Sequence, residues 1–150
     1  MKGLNKYNKN IIYAQTLRLG NLVISEDDHV IEVSEISWHN EGEYSIHWIA
    51  GTAISRDYIC NYPIDTYRYV PITEEWLLKC KQIDFRYDKY FFTAGMVIYD
   101  IDINHKRYQA KDITIIAEYD NVQLAIAGIN YMHELQNLYY ALTKDELVFA

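Results

Sequence analysis

Apolar and polar residues alternate with a period of two on either side of a phase slip in 30–49, the pattern of half-buried strands. Across 30–49 it predicts a hairpin. Asn40-Glu41-Gly42 offers a three-residue turn with glycine where a left-handed residue is wanted. Pairing His39 with Glu43 across that turn sets a register in which Trp38 faces Tyr44 and Ile36 faces Ile46. The other face then pairs Ser37 with Ser45 and Glu35 with His47. Ile31 and Val33 are apolar at odd positions but Ile36 and Trp38 at even ones, so the phase slips at Ser34-Glu35 and predicts a β-bulge or a sharp bend. Further strands are predicted at 19–25, 53–60, 84–92, 95–103 and 112–119, rich in Ile, Val, Tyr and Phe. Asn104-His105-Lys106 reads as a turn between the last two.

Two segments switch to a helical period. Thr73 is a good N-cap, with Glu74 and Glu75 placed to suit the helix dipole. That helix is expected to run to about Gln82 and to bury Trp76, Leu77, Cys80 and Ile83. The second is expected over 129–142, where Leu138, Tyr131, Leu142, Leu135, Tyr139 and Met132 fall on one core-facing arc. His133, Gln136, Asn137 and Tyr140 lie on the opposite arc, as a polar face in solvent or a hydrogen-bonding patch for a partner. Thr143 and Glu146 have capping-box spacing for a short terminal turn. Strands first, one helix between strands and one at the end make an α+β protein with a mostly antiparallel sheet. The bent N-terminal strands suit a small SH3-like barrel. With no low-complexity linker, 1–150 reads as one domain, and 1–14 as a flexible extension of it.

Composition narrows the function classes. Half the residues are apolar and 23% are charged, which excludes wholesale disorder. No run reaches the length of a membrane span, and Ile11–Ala14 is too short for a signal peptide core, so a cytoplasmic protein is expected. Cys60 and Cys80 have no metal-binding spacing and read as reduced core thiols. A net charge of −7 lacks the basic footprint of a general nucleic-acid binder. The acids are concentrated: 21–50 holds Glu26, Asp27, Asp28, Glu32, Glu35, Glu41 and Glu43 with no Lys or Arg. Such a block would steer onto a basic partner.

Catalytic signatures are missing. The glycines form no phosphate loop or dinucleotide motif, and there is no G-x-S-x-G. His133-Glu134 opens like a zinc-protease helix, but Asn137 stands where the second histidine belongs. Asp100-Ile-Asp102-Ile-Asn104 opens like a calcium loop, but His105 and Lys111 replace its glycine and glutamate. These residues are read as a solvated edge, with weak binding of one divalent ion as the alternative. The predicted pairs Glu35–His47 and Glu43–His39 lie about 13 Å apart along a strand, too far for one zinc ion, and are read as separate, weakly pH-sensitive surface pairs. No catalytic residue, metal or cofactor is assigned. Tyr58, Tyr62, Tyr67 and Tyr69, around a proline-bearing stretch, follow no period and are candidates for an exposed contact surface, with packing as the alternative.

Leu17-Arg-Leu-Gly-Asn21, Pro71-Ile-Thr-Glu-Glu-Trp-Leu-Leu-Lys79 and Tyr131-Met-His-Glu-Leu-Gln-Asn-Leu-Tyr-Tyr-Ala-Leu-Thr143 occur in that order. This resembles a family of small proteins encoded in phages and prophages of the Bacteroidetes. The resemblance implies a bacterial host cytoplasm and no particular activity. It places His133, Gln136, Asn137 and Tyr140 within a recurrent closing motif. The leading expectation is a non-enzymatic protein-interaction module acting on a basic host protein, such as a defence or nucleic-acid-handling factor. Its candidate contacts are Glu26, Asp27, Asp28, Glu32, the four tyrosines and the four helix residues. A small nucleic-acid module is the second reading, with Arg86, Lys89, Lys106, Arg107 and Lys111 as a basic edge and tyrosines for stacking. A structural protein forming homo-oligomers is the third, and an enzyme with a non-local site at Asp100, Asp102 and His133 the last.

Overall fold

The structure is a computed structural model that describes residues 12, 14–42, 44–55, 57–108 and 110–150. The expected extension at 1–14 falls almost wholly outside the described residues, and the Glu43–His39 pair rests on a residue outside them. The chain divides into two compact units, 1–70 and 71–150. Each is built on a five-stranded sheet in which every pairing is antiparallel. The architecture is therefore α+β and mostly antiparallel.

The first unit contains β1 (Leu22–Ile24), β2 (Val30–Glu41), β3 (Tyr44–Ala53), β4 (Ile59–Pro63) and β5 (Arg68–Tyr69). Their order is β4-β3-β2-β1-β5, an open sheet with β4 and β5 as its edges, so the expected barrel is not closed. Leu22, Val23, Ile31, Val33 and Ile49 are its buried centre. The register of β2 on β3 shifts between Val33 and Glu35, the bulge that the phase slip predicts. An extra residue there turns the apolar set from odd to even positions.

The hairpin register differs from the expected one. Glu41 pairs with Tyr44, so Trp38 lies opposite His47 and Ile36 opposite Ile49. The turn is shorter than the three-residue loop expected, with Gly42 left-handed at φ 63°. This register brings the fully buried Ile49 beside Ile36, where the expected one would have brought Ile46. Beside the bulge, Gly51 lies opposite Val33. A Cβ at this position would stand 2.3 Å from the Glu32 carbonyl oxygen, which excludes every other residue without backbone movement.

The second unit contains α1 (Glu74–Lys79), β6 (Asp84–Arg86), β7 (Lys89–Ala94), β8 (Val97–Asp102), β9 (Ile113–Tyr119), β10 (Val122–Ile129) and α2 (Met132–Thr143). The strands form a simple meander in sequence order. Left-handed pairs make two of its turns, Tyr87-Asp88 and Asp120-Asn121. The first splits the predicted strand 84–92 into a hairpin, and the second leads into β10, which the sequence reading left without an element. The Thr73 hydroxyl accepts the Trp76 amide as the cap predicts, but α1 ends at Lys79 rather than near Gln82. Cys80 is already extended there and bridges to Phe149, whose ring meets Trp76 edge-on at 5.7 Å. Leu77, Cys80 and Ile83 are buried as expected.

α2 begins three residues later than expected, because β10 claims Ile129. The Glu134 carboxylate accepts the backbone amides of Asn130 and Tyr131 at 3.1 Å each, which fixes the helix start. Tyr139 packs against Phe92 at 5.2 Å, and Phe92 stacks on Tyr99 at 5.1 Å. This seating rotates the buried stripe toward Met132, Leu135, Gln136, Tyr139 and His133. His133 and Gln136, expected on an outward polar arc, are therefore inside, 4% and 2% exposed. Asn137 is half-buried and Tyr140 is exposed, so the four-residue patch does not exist as one surface.

Two stability predictions follow from this packing. Gly51→Ala should lose about 2–3 kcal/mol in urea unfolding, because the clash is with backbone. Burial pushes the His133 imidazole down to about 4 from 6.5, so the unfolded chain binds its proton first as pH falls. Stability should be complete above about pH 6.5 and decline toward pH 4 by about 3 kcal/mol. His133→Asn should flatten that part of the profile, measured by denaturation at a series of pH values.

Candidate functional site

The tight turn between β1 and β2 organises the acidic block. Ser25 is buried; its hydroxyl donates to Asp27 Oδ1 at 2.5 Å and accepts the His29 amide at 3.1 Å. Asp28 takes the left-handed position at φ 64° and pairs with Arg68 of β5. Asp27 Oδ2 accepts the Tyr58 hydroxyl at 3.3 Å and lies 3.6 Å from His29 Nε2. The hydrogen bond from Ser25 chiefly holds the Asp27 carboxyl below its usual range. Tyr58, within hydrogen-bond reach of Tyr62 and beside Asp27, is pushed up to about 12 and stays protonated. Its ring tilts against His29 at 5.0 Å.

Residues from two segments thus meet: the turn that holds Glu26, Asp27 and Asp28, and β4 with its approach, which bring Tyr58 and Tyr62. Glu26 and Tyr62 are exposed, as is Ile59 between the tyrosines. Glu32 is exposed on β2. Tyr67 and Tyr69 do not join them. Tyr67 is buried, donates to the Ile49 carbonyl at 2.8 Å and lies 3.3 Å from the Cys60 sulfur. Tyr69 is buried with its hydroxyl 2.7 Å from Thr16 Oγ1. These two are core residues with satisfied hydroxyls, which corrects their assignment to a contact surface.

The sequence reading missed the exposure of Trp38. β1 flanks only residues 30–32 of β2, and β4 flanks only residues 48–52 of β3. Beyond those, residues 36–41 and 44–47 form a two-stranded arm. Trp38 is 58% exposed on it, with His47 edge-on at 4.2 Å. The expected Glu35–His47 pair is absent, because Glu35 lies opposite Ala50.

In the second unit Asp100 and Asp102 are buried on the central strand β8, not set on a solvated edge. Asp102 accepts the backbone amides of Lys106, Arg107 and Tyr108 at 2.9, 3.1 and 3.1 Å, pinning the loop that follows. Asp100 Oδ2 pairs with Arg107 Nη2 at 3.0 Å. Burial raises the Asp100 carboxyl, while Arg107 and Lys89 hold it back. Among the described residues no three His, Cys, Asp or Glu side chains are grouped to hold a metal ion. A cavity of about 40 Å³, room for a water molecule, is lined by Lys89, Asp100, Asp102, Lys106 and Arg107. Next to it Arg86, Tyr87, Lys89 and Phe91 line an open groove that also holds Asp100 and Glu118. Four of the five predicted basic-edge residues are therefore gathered here. Acids balance them, and Arg107 is committed to Asp100. Lys111 lines a different groove, with Tyr108 and Asp112.

His133 is buried and neutral, Cys80 is buried with its thiol pushed up to about 12, and Cys60 is buried. No family model, curated protein sequence or solved structure matches the chain. Among the described residues no helix is long and apolar enough to cross a membrane.

Arg107→Met should strand the Asp100 carboxylate and cost about 3 kcal/mol. Adding Asp100→Asn to the same chain should recover most of that loss in urea unfolding, which marks the pair as structural.

Proposed function

We propose that the chain is a non-enzymatic protein-interaction module of a bacterial cytoplasm, of the phage or prophage type its three motifs resemble. Its contact surface is the acidic turn with Tyr58 and Tyr62, and its partner is a basic host protein. The observation that carries this reading is the hydrogen bond from Tyr58 to Asp27, which ties the acidic turn to the tyrosine pair Tyr58 and Tyr62. Tyrosine buries large area at small entropic cost, and ordered carboxylates steer a basic surface onto it. The exposed Trp38 on its arm supplies a second anchor, since a two-stranded ribbon gains little from its own packing. The block 21–50 holds no Lys or Arg, which favours a basic protein over nucleic acid.

The nucleic-acid reading draws support from the Arg86–Lys89 groove with its Tyr87 and Phe91 rings. Asp100 and Glu118 within the same groove weaken it, because a phosphate backbone would meet both.

The test is recovery of a partner from host lysate on the tagged chain, with and without nuclease. The partner's association rate is then measured against the variant Glu26→Lys, Glu32→Lys, Tyr62→Ala. Asp27 and Asp28 are left intact because they hold the turn and Arg68. The expected result is a nuclease-resistant partner whose association slows about tenfold or more in the variant and slows with added salt in the wild type. Recovery abolished by nuclease would move the function to the basic groove. An unchanged rate in the variant would remove the acidic surface from the mechanism.

A further inference from the structure

Bases, acids and aromatic rings gather on one face of the second sheet. Residues i and i+2 share a face of a strand, so Lys89 and Phe91 of β7 stand together, as do Ile98 and Asp100 of β8. The pairings Phe91–Asp100 and Ile98–Glu118 extend that face to β9, and Arg86–Lys89 extends it to β6. With Tyr87 these residues line an open groove of about 480 Å³, within the size range of small-molecule sites. Phe91 and Ile98 are its apolar part, and Tyr87 is 94% exposed. Its polar part has bonds left unmade. The Asp100 side chain is only 9% exposed, and its Oδ2, though 3.0 Å from Arg107 Nη2, has no hydrogen-bond partner. Arg107 Nη1 is buried without one as well. The ion pair holds the loop, yet a carboxylate accepts roughly four hydrogen bonds and a guanidinium donates about five. Lys89 and Asp100 line both the groove and the small cavity that Arg107 also lines, so the groove leads to these groups.

We infer that this groove binds a neutral saccharide. Charge and hydrogen-bonding capacity select that ligand. Arg86 and Lys89 can only donate, and Asp100 and Glu118 can only accept. Donors and acceptors stand one to three strands apart, about 5 Å per strand. An anion held by Arg86 and Lys89 would face both carboxylates, and a cation held by the carboxylates would face both bases. A hydroxyl both donates and accepts. A ring edged with hydroxyls therefore satisfies the basic and the acidic side at once and brings no charge of its own. One hydroxyl donates to Asp100 or Glu118 while another accepts from Lys89 or Arg86. The C–H face of the same ring lies on the apolar surface of Phe91, Ile98 and Tyr87. The site belongs wholly to the second unit, and it does not rest on the acid–tyrosine reading of the first.

The full chain is tested on an array of neutral mono- and oligosaccharides built from gluco, galacto, manno and N-acetylhexosamine rings. The tightest of these is then titrated calorimetrically into the wild type, Tyr87→Asn and Glu118→Gln, with inorganic phosphate and adenosine as counter-probes. Asparagine tolerates the left-handed backbone of position 87, at φ 53°, and glutamine keeps the shape of Glu118 without its charge. Asp100 and Arg107 stay intact because they hold the loop. The expected result is a wild-type dissociation constant of about 1 mM or tighter, weakened about tenfold in each variant, with no binding of phosphate or adenosine. Amide chemical shifts of the wild type keep the test decisive if the variants misfold: the saccharide should move signals within 86–91, 98–107 and 116–118. No saccharide bound on the array, unchanged affinity in both variants, or shifts centred elsewhere overturns the proposal. Phosphate or adenosine moving the same signals also overturns it, because the groove would then select an anion or a base.

Discussion

A twelve-residue helix is about 18 Å long, and that length governs how the second sheet is finished. α2 sets Tyr139 on Phe92, which stacks on Tyr99, while Val122 and Leu124 of β10 stay exposed. On the other face no helix is left to cover the strands, and the loop after β8 does it. A loop lying on a sheet needs its backbone amides satisfied. Asp102 accepts three of them, and Asp100 fixes the Arg107 side chain of the same loop. The two buried carboxylates that look like ligands in the sequence are consumed in replacing a missing helix.

The sequence made some of this legible, and the failures have a common form. Local chemistry read well: the Thr73 cap, the bulge after Val33 and the apolar strand runs depend on neighbours a few residues away. What failed depended on where an element is seated. By its own periodicity the α2 stripe ran from Leu138 to Met132 with Leu135 at its middle, but the seating of Tyr139 on Phe92 turns the buried side toward Gln136 and His133. The β2–β3 register slid because a tight turn at Gly42 satisfied Ile49, which no local rule compares with Ile46. β10 was missed because alanines and a glycine dilute its strand pattern, and only the Asp120-Asn121 turn announces it.

The candidate surface divided along the same line. The acidic turn was visible as a run of charge, yet nothing in the sequence separates Tyr58 and Tyr62 from Tyr67 and Tyr69. Their fates are set by β4 and β5. β4 is an edge strand that leaves Tyr62 exposed, whereas Tyr67 and Tyr69 bury their rings and send their hydroxyls to Ile49 and Thr16. Within the one unit, buried tyrosine therefore serves as structure, while Tyr62 keeps its ring exposed.

The placement of the two cysteines has a practical meaning. Each unit holds one, both are buried, and burial keeps the Cys80 thiol far from its reactive thiolate form. A thiol reagent reaches Cys60 only when the first unit opens, and Cys80 only when the second does. The native chain thus carries an internal reporter in each unit, and the two labelling rates separate local opening of one from opening of the other without any added probe.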